Sequence, residues 1–233
     1  GDENGSVVQI ASGENREAVL SGLTIQNGGG IMGGGLFIRN SSPTLTQLVI
    51  QDNNIGSDRG HFGGGIYMDR NSEPILTNVI IRDNLSDRGA GIFCQDRSNP
   101  ILNSCTIIGN RGGRGAGIYI IDRCNPILTN VIIQSNFGGG YGAGISCWEN
   151  TNLILNNVIV TENTLLGGVG QGGGISCYGY CRVEMTNVTL SYNRGSTGGG
   201  VWSAHGSEVL ITNSAIIGNM APNGCGGGIY ADS

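Results

Sequence analysis

The chain has 233 residues, a formal net charge of −5, and 44 glycines beside only 5 prolines. Glycine does not recur at every third position, which excludes collagen, and 38% hydrophobic against 12% charged residues argues for a packed core rather than a disordered chain. The acidic balance, with a pI near 4.9, offers no electrostatic footprint for nucleic acid or an anionic membrane surface. No apolar run reaches the roughly 18 residues of a membrane-spanning helix, and Gly1 to Asn4 does not read as a signal peptide. Seven cysteines, an odd number without a CxxC pair, indicate neither a zinc ribbon nor a complete disulfide framework.

From the N-terminus, Ser6 to Ile10 reads as the first strand of a coil already running, followed by a degenerate apolar block from Ala18 to Ile25. A small triplet then ends at Gly35, and its copies end at Gly65, Gly91, Gly117, Gly144, Gly174, Gly200 and Gly228, spaced 26 to 30 residues apart. Each triplet is followed by an aliphatic residue: Leu36, Ile66, Ile92, Ile118, Ile145, Ile175, Val201 or Ile229. Between triplets a second block recurs, clearest in Pro74 to Ile81 and Pro126 to Ile133. An asparagine closes each block three residues on, at Asn53, Asn84, Asn110, Asn136, Asn163, Asn193 and Asn219, with Asn27 displaced by one in the first copy. The last block runs from Val209 to Ile216, and Ile229 to Ser233 begins a further coil, so neither end reads as a cap. One domain over 1–233 is expected, as a segment of a longer protein or a protomer that stacks end to end.

Short β-branched runs broken by Asn, Gly or Pro, with no helical period, predict three strands per repeat. One repeat cannot bury its own apolar face, whereas stacked repeats bury a continuous column and pair each strand with its copies above and below. The predicted fold is therefore an all-β parallel solenoid of about eight coils of 25–31 residues, roughly 40 Å long at the usual strand spacing. Leu20, Leu45, Leu76, Leu102, Leu128, Leu155, Met185 and Ile211 form one predicted inward column, and Ile25, Ile50, Ile81, Ile107, Ile133, Val160, Leu190 and Ile216 another. Asn78, Asn130, Asn157, Asn187 and Asn213 share the bend between second and third strands, where stacked amides are expected to bond each other, with Gln47 and Ser104 as partial substitutes. The triplets call for positive φ or close backbone approach where a loop enters the first strand.

The paired blocks GGGIY and PILTNVIIRDN resemble the right-handed parallel β-helix repeats of the pectate-lyase-like superfamily, in the style of bacterial secreted or surface proteins and autotransporter passengers. The resemblance implies an extracellular or cell-surface setting, and it hosts lyases, hydrolases, adhesins and structural fibres alike. Enzymes of that superfamily use clustered carboxylates with calcium and a base, or paired aspartates. This sequence has no Asp-Asp pair, and His61 and His205 lack an evident acidic partner. Asp69-Arg70, Asp96-Arg97 and Asp122-Arg123, with Glu149, predict a self-neutralising salt-bridge ladder after the first strand.

The outward side of the first strand carries Phe37, Tyr67, Phe93, Tyr119, Trp202 and Tyr230, with Trp148 and Tyr178 continuing the row where Ser146 and Ser176 interrupt it. Such a stripe either stacks under the Gly-rich loops or offers a surface to a glycan or a protein. Two more outward rows are predicted. One, half aliphatic, runs Thr24, Val49, Ile80, Thr106, Ile132, Ile159, Thr189 and Ala215; the other runs Ser21, Thr46, Thr77, Asn103, Thr129, Asn156, Thr186 and Thr212. Cys94, Cys147 and Cys177 are expected to point inward as small core residues, and Cys177 and Cys181 to bridge if the chain is exported. The reading is a non-enzymatic structural or adhesive protein with no cofactor; the alternatives are a carbohydrate-active enzyme and, for the Thr-rich row, an ice-binding face.

Overall fold

The computed structural model describes residues 5–167, 170–222 and 224–232, and shows a right-handed parallel β-solenoid without helices. Three long parallel sheets run its length. The first has nine strands from Val8–Ile10 to Ile229–Ala231, the second eight from Val19–Ser21 to Glu208–Thr212, and the third eight from Thr24–Gln26 to Ala215–Ile217. Register is straight throughout: Leu45 pairs with Leu76, Leu76 with Leu102, and Leu102 with Leu128. A fourth, shorter sheet of Leu85–Arg88, Arg111–Arg114, Phe137–Gly138 and Thr164–Leu165 lies where the sequence suggested only loops. Middle coils therefore hold four strands, because the residues after the closing asparagines also pair rung to rung.

The core follows the predicted columns except at the end rungs, where Leu20 and Ile216 are half-buried and Ile211 is exposed because no further coil covers them. Leu45, Leu76, Leu102, Leu128 and Leu155 are buried, as are Ile50, Ile81, Ile107, Ile133 and Val160. Each buried Leu or Ile contributes about 1.5–3 kcal/mol. Cys94, Cys147 and Cys177 do share the inward position of Met68 and Ile120, and all seven cysteines are free thiols. The expected Cys177 to Cys181 bridge is absent; the Cys181 thiol instead donates to the Tyr178 carbonyl at 3.3 Å.

The asparagine ladder sits in a different bend from the one expected. The closing asparagines from Asn53 to Asn193 are buried and Asn219 is half-buried, and the side-chain amide of each donates to the next one's Oδ1 at 2.9–3.0 Å, unbroken from Asn53 to Asn219. The same amides reach strand carbonyls one coil below, Ile25, Ile50, Ile81, Ile107, Ile133, Val160 and Leu190, at 2.8–3.2 Å. In the first coil the slot belongs to Gly28, whose N–H donates to Asn53 Oδ1 at 2.9 Å, not to the exposed Asn27. Asn78, Asn130, Asn157, Asn187 and Asn213 are exposed. They hold φ of 47° to 57°, a conformation asparagine tolerates, and Gly22, Gln47 and Ser104 share it. Their amides bond only pairwise, Asn157 to Asn130 at 2.5 Å and Asn213 to Asn187.

The triplets divide their two roles. The first glycine has positive φ, as at Gly63 (69°) and Gly115 (54°). The third is a close approach: a Cβ on Gly91 would lie 2.5 Å from the Gly117 carbonyl oxygen and 3.2 Å from the Asn110 amide. Glycine column and amide ladder thus interlock.

Two outcomes are expected in urea melts. Asn136→Ala, which strips two accepted and two donated side-chain bonds from a buried site, should cost about 3–5 kcal/mol, while Asn130→Ala should cost about 1–2 through its left-handed backbone and one exposed bond from Asn157. Equal costs would put the ladder back in the outer bend. Burial pushes the Cys105 and Cys181 thiols up to about 11. Unfolded thiols ionise near 8.5–9, so stability present below pH 9 should fall as pH rises to 11, by up to about 3 kcal/mol per thiol. Cys105→Ala should flatten that decline; an unchanged slope would sink the assignment.

Candidate functional site

The outward row of the first sheet is the natural place for a site, since successive coils set equivalent side chains on neighbouring rungs. Phe37, Tyr67, Phe93 and Tyr119 form one column of near-parallel rings with centroids 5.3–5.5 Å apart. Tyr67, Phe93 and Tyr119 are only 1–2% exposed and Trp202 6%. These four rings therefore cannot offer the open surface foreseen for the stripe. Their cover comes from the segments after the closing asparagines. Phe62 stacks on Phe93 at 4.8 Å, the Arg88 guanidinium lies over Phe62 and Tyr119 at 5.5 and 5.9 Å, and Arg114 lies over Tyr141 and Trp148 at 5.2 and 5.1 Å.

At the lower end Phe37 is half-buried beneath the Arg39 guanidinium, 4.7 Å from its centroid. Arg39 makes a bidentate pair with Asp69, its nearest contact 2.7 Å, and the Tyr67 hydroxyl donates to the same carboxylate at 3.1 Å. Burial, then Asp69, holds the Tyr67 phenol well above its ordinary range. This pair is the sole trace of the predicted salt-bridge ladder among the described residues, and it runs between coils rather than along one. Arg70, Asp96, Arg97, Asp122, Arg123 and Glu149 instead occupy consecutive left-handed turn positions, with φ of 53° to 62°. Aspartate suits such turns; nothing in the structure explains why arginine fills them.

The upper end is open. Ser146 and Ser176, whose hydroxyls bond at 3.0 Å, leave room where rings stand in other coils, and the Trp148 indole folds back to donate to Ser146 Oγ at 2.9 Å. Trp148 and Tyr178 are half-buried with centroids 4.5 Å apart, and His205, exposed, lies 4.3 Å from Tyr178. Tyr178 also stacks on buried Trp202 at 6.1 Å, and Tyr141 meets Trp148 edge-on at 5.3 Å. Tyr230 is half-buried at the last rung, paired with Trp202. Of the eight foreseen residues, then, Phe37, Trp148, Tyr178 and Tyr230 keep partial access to solvent, and Trp148 and Tyr178 pack beside exposed His205 as a partly open aromatic step.

Other rows lie as expected. Ile80, Ile132 and Ile159 face outward, 37–42% exposed, and Ser21 to Thr212 form a register-matched polar row along the second sheet. Among the described residues, no group of three His, Cys, Asp or Glu side chains is placed to hold a metal ion. His61 packs in a loop with its Nδ1 shielded and unbonded. Four N-x-Ser/Thr glycosylation sequences begin at Asn4, Asn40, Asn84 and Asn187; Asn40 and Asn187 are exposed and Asn84 is buried in the ladder, while Asn4 lies outside the described residues.

Sequence reading missed the covering groups, Phe62, Arg88, Arg114 and Tyr141. A signal existed: Arg88 and Arg114 each stand directly before a triplet, in Arg88-Gly89-Ala90-Gly91 and Arg114-Gly115-Ala116-Gly117.

A family model described as a right-handed β-helix region matches residues 3–165. The chain belongs to that right-handed β-helix family. No curated protein and no solved structure matched it.

The two halves of the stripe should respond differently to truncation. Phe93→Ala should destabilise by about 3–5 kcal/mol, as for other buried aromatics, whereas Tyr178→Ala should cost about 1 kcal/mol or less. Similar losses at both positions in thermal melts would show that the step is as covered as the column.

Proposed function

We propose that the chain is a non-enzymatic structural or adhesive β-helix of the extracellular space or cell surface, and that it contacts a glycan or a protein through Trp148, Tyr178 and His205. The observation that carries this reading is the partly open aromatic step: a half-buried indole and phenol 4.5 Å apart on neighbouring rungs, beside an exposed imidazole. Aromatic faces of this kind stack on the apolar faces of sugar rings or fill hydrophobic contacts between proteins. A rigid solenoid suits the task because its step is held by the paired backbone below and loses little freedom on binding.

The rival reading, a carbohydrate-active enzyme, rests on a different feature. Asp52 and Asp83, on neighbouring coils, line a groove of about 370 Å³ together with Asn54 and Arg111. Asp83 is half open to solvent and meets Arg82 at 3.4 Å, so the groove is hydrated rather than the dry, shaped site a general acid or base needs. That favours the binding reading.

On a glycan array followed by titration, Trp148→Ala and Tyr178→Ala should each weaken binding by about 1–3 kcal/mol, the range of aromatic hot spots, with little change in thermal stability. Incubation with calcium and uronic-acid polymers should yield no unsaturated product and no new reducing ends. Turnover that disappears in Asp52→Asn or Asp83→Asn would replace the adhesive reading with the enzymatic one.

A further inference from the structure

The fourth sheet holds a second feature that the aromatic step does not use. Arg88 and Arg114 are register partners on adjacent strands, so their side chains leave the sheet one strand spacing apart, about 4.8 Å. Like charges directly opposite on a sheet repel. Here they are also poorly neutralised. With Arg59 and Asp87 they line a groove of about 450 Å³, over a glycine floor that includes Gly113 and Gly139, which sets three guanidinium groups against one carboxylate in a chain whose net charge is −5. The nearest approach of Asp87 to Arg88 is a loose 3.6 Å.

Both guanidinium groups are oriented. Arg88 lies over Phe62 and Tyr119, and Arg114 over Tyr141 and Trp148, at 5.1–5.9 Å. Stacking engages the flat face of a guanidinium and leaves its in-plane N–H edge to donate. The floor permits close approach: a Cβ on Gly113 would sit 2.9 Å from the Asp87 carbonyl oxygen, so the rung stays bare beside the arginines.

We propose that Arg88 and Arg114 form a binding site for a tetrahedral oxoanion, a phosphate or sulfate group, with Arg59 at its rim. A carboxylate has two oxygens, which one arginine fork satisfies. A phosphate or sulfate group presents three or more and accepts from two forks on neighbouring rungs at once. Bound there, it screens the repulsion between the paired arginines. The site stands independently of the aromatic step's ligand, although Trp148, beneath Arg114, reports on both.

The test is calorimetric titration at neutral pH, with Trp fluorescence in parallel, of the full chain against inorganic phosphate, inorganic sulfate, a sulfated oligosaccharide and its desulfated counterpart, with sodium chloride at matched ionic strength. Saturable binding of phosphate or sulfate is expected, at least ten-fold weaker in Arg88→Gln and in Arg114→Gln. Arg182→Gln, which removes an exposed arginine already paired with Glu184 and Glu208, should leave it unchanged. Arg88→Lys and Arg114→Lys keep the charge and lose the fork, and should bind with intermediate strength. Their thermal melts show whether any loss reflects misfolding. Tighter binding of the sulfated oligosaccharide than of free sulfate would identify the group as an ester on a glycan; equal affinity would identify a free anion. Absence of saturable binding by any of the oxoanions, an equal response to chloride, or an equal loss in Arg182→Gln would overturn the proposal.

Discussion

From the second coil on, the rungs of this molecule depend on one ladder of amides. Each closing asparagine from Asn53 to Asn193 donates to a backbone carbonyl of the coil below and to the amide oxygen of the coil above, at distances of 2.8–3.2 Å. At that bend the chain turns away from the third sheet, and its backbone groups would otherwise be buried without partners, a cost of about 1–3 kcal/mol each. A ladder of identical amides solves the problem identically at every rung. It also fixes the register, because a slip by one residue would remove the amide from its carbonyl. The third glycine of the triplets serves the same packing: a side chain at Gly91 or Gly117 would meet the next coil's glycine carbonyl at 2.5 Å and the ladder amide of Asn110 or Asn136 at 3.2 Å.

The solenoid and its inward columns were legible because the period of the repeat and the two-residue alternation of strands act together. Leu76, Leu102 and Leu128 stand at one offset from their triplets and are buried at one depth. The amide ladder was harder, since two asparagine columns recur at fixed offsets and periodicity does not say which faces inward. A distinction was present within the repeats. The closing slot is asparagine from Asn53 to Asn219, whereas the outer bend also accepts Gly22, Gln47 and Ser104. A slot that needs only a left-handed backbone tolerates such exchange, and a slot that needs a donor and an acceptor of fixed reach does not.

The aromatic row was equally visible, but its exposure was not. Whether a ring on the outer side of a strand meets water depends on what crosses it, and here the covering residues come from segments with little pattern of their own. Phe62 lies in the loop before Gly63, and Arg88 and Arg114 in strands of three or four polar and small residues. Nothing in strand alternation predicts that such segments pair into a fourth sheet. Their pairing is permitted because the three long sheets already hold them in register, so only a short closure remains to be ordered.

The two serines show how the same architecture both hides and opens its rings. In the coils of Tyr67, Phe93 and Tyr119 a ring fills the first outward position, and the fourth sheet closes over it. In the coils of Ser146 and Ser176 that position holds only a hydroxyl, and the ring has moved two residues on, to Trp148 and Tyr178, where the strand leaves the sheet. The Trp148 indole reaches back to Ser146, which sets its plane, and the ring stays half-buried beneath Arg114. Displacing an aromatic by one alternation along the strand therefore turns a fully buried stack into a partly open step while the strands stay in register. The position of the step is set by the same ladder that sets every other rung, and its rigidity is that of the solenoid as a whole.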